Sequence, residues 1–168
     1  MKKLFCLAVV CGLFFAGIAF AADKKIKGDN TMSNTDKVVK FLQDSKVFFI
    51  ATVDGSQPRV RPFGVALNID GKVSICTGAF KNVYKQILAN PKVEISAISP
   101  NGDKWIRISG ELENITTESN QQKFFAAAEG LDKLYSGDKR KDFTILSFKS
   151  GSIAEIESFA APKETITL

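Results

Sequence analysis

Arg59-Val60-Arg61-Pro62-Phe63-Gly64, followed by Cys76-Thr77-Gly78-Ala79-Phe80-Lys81-Asn82-Val83-Tyr84-Lys85-Gln86 and closed by Asn90-Pro91, is the stretch that decides how this chain folds. Its first part reads as a strand over 59–69. Arg59 and Arg61 share one face of it, because residues two apart point the same way. Asp70-Gly71 is a hairpin turn signal, and the chain returns as a strand over 73–77. A helix follows over 80–90, with Val83, Ile87 and Leu88 expected inward, and Pro91 ends it by forbidding continuation. Thr77, Lys81, Asn82 and Lys85 cluster where strand hands over to helix. A helix start offers free backbone N–H groups and a positive dipole end, which suits phosphate. Guanidinium forks at Arg59 and Arg61 match the same anion. On composition alone, a solvated basic face explains the two arginines at least as well.

Working outward, Val47-Phe48-Phe49-Ile50-Ala51-Thr52-Val53 is a β-branched and aromatic run, hence a buried strand. Residues 54–58 form a loop. Upstream, Asn34 or Thr35 caps a helix running to Gln43 or Asp44, with Val38, Val39, Phe41 and Leu42 as its apolar face. Downstream, 93–99 is a strand, Pro100-Asn101-Gly102-Asp103 a loop, and 105–114 a long strand. In that strand Ile106, Ile108, Gly110 and Leu112 alternate with Trp105, Arg107, Ser109 and Glu111, so one face is apolar. From Thr116 the period changes. Phe124, Phe125, Ala128 and Leu131 suit a helix ending near Gly130. Residues 134–141 are a polar connection, and 143–148 with 152–156 read as a final hairpin across Lys149-Ser150-Gly151. Residues 159–168 have no clear period and read as a tail. The pattern is mainly β, a six- to seven-stranded antiparallel barrel with peripheral helices.

The chain has 168 residues, 45% of them hydrophobic, enough for one domain with a real core. Residues 1–21 read as a signal peptide. Lys2-Lys3 supplies the positive start, Leu4 to Phe20 is an uninterrupted apolar run, and Ala19-Phe20-Ala21 is a small-x-small cleavage site before Ala22. An uncleaved anchor is the alternative, disfavoured by that site and by the polar stretch after it. Residues 22–34 read as a flexible tether and 35–158 as the folded domain. Removing Lys2 and Lys3 lowers the formal charge from +5 to +3. The cations are interspersed with acids, so no nucleic-acid partner is expected. Cys6 and Cys11 leave with the signal, and Cys76 alone cannot form an internal disulfide. With no histidine in the chain, a metal centre is not expected, and His-dependent nucleophilic catalysis is excluded.

Gln57-Pro58-Arg59-Val60-Arg61-Pro62-Phe63, Cys76-Thr77, Lys81-Asn82-Val83-Tyr84-Lys85-Gln86, Ala89-Asn90-Pro91 and Trp105-Ile106-Arg107-Ile108-Ser109-Gly110 together resemble the pyridoxamine 5′-phosphate oxidase-like flavoproteins, which are FMN-binding split β-barrels. The resemblance implies FMN as cofactor. It implies that Arg61, Thr77, Lys81, Asn82 and Lys85 serve the phosphate, and that the backbone of Pro62, Phe63 and Gly64 lines the flavin ring. Arg59 stays open between clamp and surface. Cys76 reads as a small buried strand residue or as a flavin-adjacent or reactive thiol. Trp105 and Arg107 read either as contacts to the flavin rim and its O2 edge or as barrel-end surface. The side chains of Phe63 and Phe80 read as core.

The chain also departs from the oxidase proper. The oxidase has Arg-Lys at the positions of Asn82 and Val83, whereas here the positive charge falls at Lys81. It has a polar amide at Trp105. Its C-terminal segment carries Arg and His, and residues 155–168 here have neither, so vitamin B6 oxidation is not expected. The resemblance implies an exported FMN-dependent oxidoreductase, passing hydride or electrons from a reduced donor to a small molecule or protein partner. A non-enzymatic FMN electron carrier or accessory binding module is the alternative, and a deazaflavin- or haem-binding relative a weaker one, haem being disfavoured by the absent histidine. Relatives of this kind build each FMN site between two subunits, so a homodimer is implied. Export to the periplasm or beyond follows from the signal, and no membrane span is expected after its removal. Intact-mass measurement of the native protein should give a mature chain beginning at Ala22; a chain retaining Met1 defeats that reading.

Overall fold

Asp70 and Gly71 both adopt positive φ, 51° and 83°, the backbone that a two-residue hairpin turn demands. That turn joins two of nine strands in the computed structural model, which describes residues 32–168. The signal-peptide reading and all of the tether but its last three residues lie outside the described residues. The elements in order are α1 Asn34–Ser45, β1 Phe48–Asp54, β2 Gln57–Phe63, β3 Ala66–Ile69, β4 Lys72–Gly78, α2 Asn82–Ala89, β5 Lys92–Ile98, β6 Lys104–Asn114, α3 Glu118–Ala127, α4 Leu131–Leu134, β7 Phe143–Phe148, β8 Ile153–Ser158 and β9 Glu164–Thr167, with a 3₁₀ turn over Gly137–Asp142. No described helix is long and apolar enough to cross a membrane.

The strands are antiparallel in the order β2-β1-β5-β6-β7-β4-β3, and β8 pairs with β6 and β9. Strand β6 belongs to two sheets. Along one edge it pairs with β5 from Trp105 to Glu111. Along the other it pairs with β8 from Lys104 to Ser109 and then with β7 from Leu112 to Asn114. The exchange of partners happens at Gly110, where a Cβ would come within 2.6 Å of Ser152 Cβ and collide with its hydroxyl. Glycine is needed there because the Ser152 side chain, with the Phe148 ring behind it, occupies the space a Cβ would take.

Three sequence expectations are corrected by this topology. The strand expected over 59–69 is two strands, because the chain crosses at Gly64-Val65 from β2, paired with β1, to β3, paired with β4. The expected hairpin of 143–148 with 152–156 does not form: β7 pairs with β4 and β6, and β8 with β6 and β9. Residues 159–168 are not all tail, since β9 pairs with β8 and Ile166 is buried. These changes raise the strand count from six or seven to nine.

Ile50, Ile75, Ile95, Ile106 and Ile108 are fully buried in the barrel interior, with Val38 and Leu42 of α1 closing one end. Each such side chain contributes about 1.5–3 kcal/mol relative to exposure. Ser33 rather than Asn34 or Thr35 caps α1, accepting from the Asp36 N–H. A second cluster forms on the other side of β7, where Phe143 and Ile145 meet Phe124, Leu131 and Tyr135. Strand β7 is therefore buried along its whole length. On α2, Val83 and Ile87 are buried as expected, but Leu88 is 63% exposed. Its position falls just past the inward stripe, and one strand-end helix has no second layer to cover it.

Gly110→Ala should lower the unfolding free energy by about 1–3 kcal/mol, the usual cost of overpacking. Urea denaturation measures it, and Ser152→Gly in the same chain should recover part of the loss. Unchanged stability in Gly110→Ala would mean the partner exchange does not require the close approach.

Candidate functional site

Where β2 ends in one sheet and β4 ends in the other, the chain leaves a cavity of about 290 Å³. Seven of the sequence-predicted residues line it: Arg61, Pro62, Phe63, Gly64, Cys76, Thr77 and Lys81. Val65, Val83, Leu131, Leu134 and Tyr135 complete the lining. The floor is apolar, and the cations stand at the β2 and α2 sides.

Thr77 ends the inward row of β4 after Val73 and Ile75. It is 2% exposed, and its Oγ1 has no hydrogen-bond partner among the described residues. An unsatisfied buried hydroxyl is costly and rare. Lys81 is the N-cap of α2, where its side chain makes no capping bond, and the first turn carries no acid. The positive end of that helix thus has neither a side-chain cap nor a carboxylate. Lys81 Nζ stands 5.8 Å from the centre of the Tyr135 ring.

Arg61 is half-buried on β2. Its Nη1 donates to Thr52 Oγ1 at 2.5 Å and its Nη2 to Gln86 Oε1 at 2.7 Å. Burial, reinforced by Arg59, pulls its pKa below the usual arginine range, against a smaller opposing effect of Asp54. Asp54 is itself engaged by Arg59 at 3.2 Å. Among the described residues, neither of the cations lining this cavity, Arg61 and Lys81, enters an ion pair, and no carboxylate lines it. The site therefore holds uncompensated positive charge beside an orphaned buried hydroxyl. A ligand anion with hydrogen-bond acceptors answers both demands.

The remaining sequence-predicted residues lie elsewhere in the chain. Asn82 and Lys85 line a second cavity of about 290 Å³ with Asp54 and Gln86. The Arg61–Gln86 hydrogen bond links the linings of the two cavities. Arg59 is taken up by Asp54. Trp105 packs on Phe159 at 5.1 Å between ring centres, and Arg107 forks onto Glu94 at 2.9 Å through Nε and Nη2. Neither Trp105 nor Arg107 lines the first cavity. Phe80 is half exposed and faces Tyr135, so it is not core.

Sequence reasoning missed Tyr135, Leu131 and Leu134 as lining residues and Thr52 and Gln86 as partners of Arg61. Tyr135 lay in a stretch read as a polar connection. Thr52 carried a legible signal: it is the inward polar position in an otherwise apolar strand, two residues on from Ile50. Gln86 shares the buried face of α2 with Val83 and Ile87.

The chain belongs to the pyridoxamine 5′-phosphate oxidase family, whose model matches residues 34–156. It is 36% identical to a NimC/NimA family protein from Clostridium acetobutylicum, over 80% of this chain and 92% of that one, with a TM-score of 0.75. Two more distant structures share the fold. One is a pyridoxamine 5′-phosphate oxidase-related, FMN-binding protein from Nostoc punctiforme, 11% identical over 82% of this chain and 98% of that one, TM-score 0.59. The other is a haem-binding protein from Mycobacterium smegmatis, 13% identical over 82% of this chain and 59% of that one, TM-score 0.63. No curated protein matches the chain.

Burial pushes the Cys76 thiol up to about 12, against a smaller opposing effect of Lys81, and burial with Cys76 raises Tyr135 to about 12. Cys76 is thus a protonated, poorly nucleophilic thiol at neutral pH. The unfolded thiol ionises first, from its ordinary value of 9.0, so folding stability is lost as pH rises through that value toward 12. Tyr135 adds to the same loss. Urea midpoints at about pH 8 and about pH 10.5 should fall for the wild type and fall less for Cys76→Ser. An equal fall in both would show that Cys76 is not the group responsible.

Proposed function

We propose that this chain is an exported FMN-binding flavoprotein of oxidoreductase type. The carrying observation is Arg61, a half-buried guanidinium with no carboxylate partner, sharing one cavity with the orphaned Thr77 hydroxyl and the uncapped start of α2. A phosphate monoester supplies the charge and the acceptors that these groups lack. The apolar remainder of the lining, Pro62, Phe63, Val65 and Leu131, suits a planar ring system. The residues present fit FMN: Arg61, Thr77 and Lys81 for the phosphate, with Lys85 adding positive charge and Asn82 an amide donor from the neighbouring cavity, and the 62–64 backbone along the ring.

FMN supplies hydride and electron transfer chemistry when bound. The chain's own residues bind it, orient it and keep water from one side. Among the described residues no carboxylate lines the cavity, and the chain has no histidine, so this lining offers no side-chain acid or base suited to neutral pH. That observation also favours a second reading, in which the protein carries electrons on FMN without turning over a substrate of its own. Turnover of a nicotinamide donor separates the two.

At about 290 Å³ the cavity falls just below the roughly 300–1,000 Å³ typical of ligand sites, and a second copy of the chain would enclose the ring from its open side. Homodimerisation belongs to the proposal. Trp105 and Arg107 are absent from the lining within one protomer, and a partner's copy of either would be the way for them to reach the ring.

Arg61→Ala should weaken FMN binding about 10- to 150-fold, the loss of one charge-assisted contact of roughly 1.5–3 kcal/mol. Lys81→Ala should lose less, because a lysine is a point charge. Riboflavin, which lacks the phosphate, should be affected little by either change, and Lys139→Ala should change neither ligand. Flavin fluorescence titration checks all of these, and sedimentation of the loaded wild type should give a dimer. Equal weakening of FMN and riboflavin by Arg61→Ala, or a fully loaded monomer, would count against the corresponding part of the proposal.

A further inference from the structure

Of the four arginines in the chain, three are held in ordinary ways. Arg59 pairs with Asp54, Arg107 with Glu94, and Arg140 lies 4.1 Å over the Phe125 ring. Arg61 is held differently. Its two terminal nitrogens donate to the Thr52 hydroxyl and the Gln86 amide oxygen, and the Thr52 hydroxyl in turn donates to the same Gln86 oxygen at 2.7 Å. The three side chains form a closed ring of hydrogen bonds. Both holders are neutral and buried, Thr52 at 2% and Gln86 at 8% exposure. They come from β1 and α2, so the ring also ties the strand bearing Arg61 to the helix whose N-terminus opens beside the cavity.

We infer that Thr52 and Gln86 are positioning residues for an anion clamp, a neutral cradle that fixes one edge of the Arg61 guanidinium and leaves its charge uncompensated for a ligand phosphate. This rests on the FMN reading above and deepens it. A guanidinium has five N–H donors. The cradle occupies two, which leaves three for an incoming anion. A carboxylate at either position would hold the arginine at least as firmly, but it would cancel the charge and repel a phosphate. Glutamine has the length of glutamate without its charge, and position 86 is buried beside Arg61, so the choice between them sets the electrostatics of the site and not its shape. Burial and Arg59 lower the Arg61 pKa, and the opposing effect of Asp54, which is itself engaged by Arg59, is smaller.

Gln86→Glu in the mature full chain tests this, because it preserves the geometry and supplies the missing carboxylate. FMN affinity should fall about tenfold or more, the value of one charge-assisted contact. Riboflavin affinity should stay within about twofold of wild type, and the melting temperature should stay near that of wild type, since the half-buried Arg61 gains a charged partner that offsets the cost of burying the carboxylate. Thr52→Val should weaken FMN and spare riboflavin, and Thr52→Ser should restore FMN. A merely structural role would move both flavins together and lower the melting temperature. Wild type that binds FMN while Gln86→Glu binds it equally well overturns the cradle and leaves the FMN reading standing. Inorganic phosphate, followed on the Arg61 side-chain NMR signals, reads the cradle where wild type takes up no FMN. Phosphate binding that Gln86→Glu abolishes then supports the cradle alone, and absence of both FMN and phosphate binding in wild type overturns both.

Discussion

Strand β6 lies in two sheets at once, and the rest of the molecule follows from that constraint. From Trp105 to Glu111 it pairs with β5 along one edge, while the other edge passes from β8 to β7 at Gly110. Successive strands β7 and β8 are pulled into different sheets, so the short Lys149–Ser152 link joins neighbours in sequence that are not neighbours in pairing. The chain makes a similar crossing at Gly64-Val65. These two crossings split the barrel, and the candidate site lies where the ends of β2 and β4 meet from opposite sheets. Had residues 59–69 run on as one strand, Arg61 and Thr77 would not face one cavity.

Electrostatics then distinguishes the site from the rest of the surface. Most described ion pairs are exposed contacts worth a few tenths of a kcal/mol to about 1 kcal/mol, such as Lys40 with Asp44 and Lys149 with Glu111. Arg61 departs from this pattern. It is partly desolvated, held by neutral oxygens and left without an acid, while Thr77 beside it keeps an unsatisfied buried hydroxyl. The hydrogen bonds tie Arg61 to β1 and α2, but neither its missing acid nor the unsatisfied Thr77 hydroxyl stabilises the fold. Both carry a cost that ligand binding can offset, the pattern by which protein sites trade local stability for recognition.

The sequence by itself determined the classes of element and much of the local chemistry. Period-2 alternation in 105–114, the Asp70-Gly71 turn and the Pro91 stop are local signals, and each element appears where its signal stands. The Thr77 and Lys81 pair was also legible, because a strand-to-helix handover brings its neighbours together whatever surrounds it, whereas Arg61 joined them only through the resemblance. Tertiary structure alone decided pairing and partnership. The run 143–148 reads as half of a hairpin because its composition is that of any buried strand; its choice of β4 and β6 over β8 depends on edges that distant strands leave open. Residues 159–168 gave no period because β9 needs only four residues and one inward side chain, Ile166. Tyr135 reached the cavity because α4 packs across β7, a contact with no sequence periodicity. Gln86 reached Arg61 because helix and strand fold onto each other across twenty-five positions of sequence. Hydrogen-bonding partners separated that far are set by packing, and packing is a property of the whole chain.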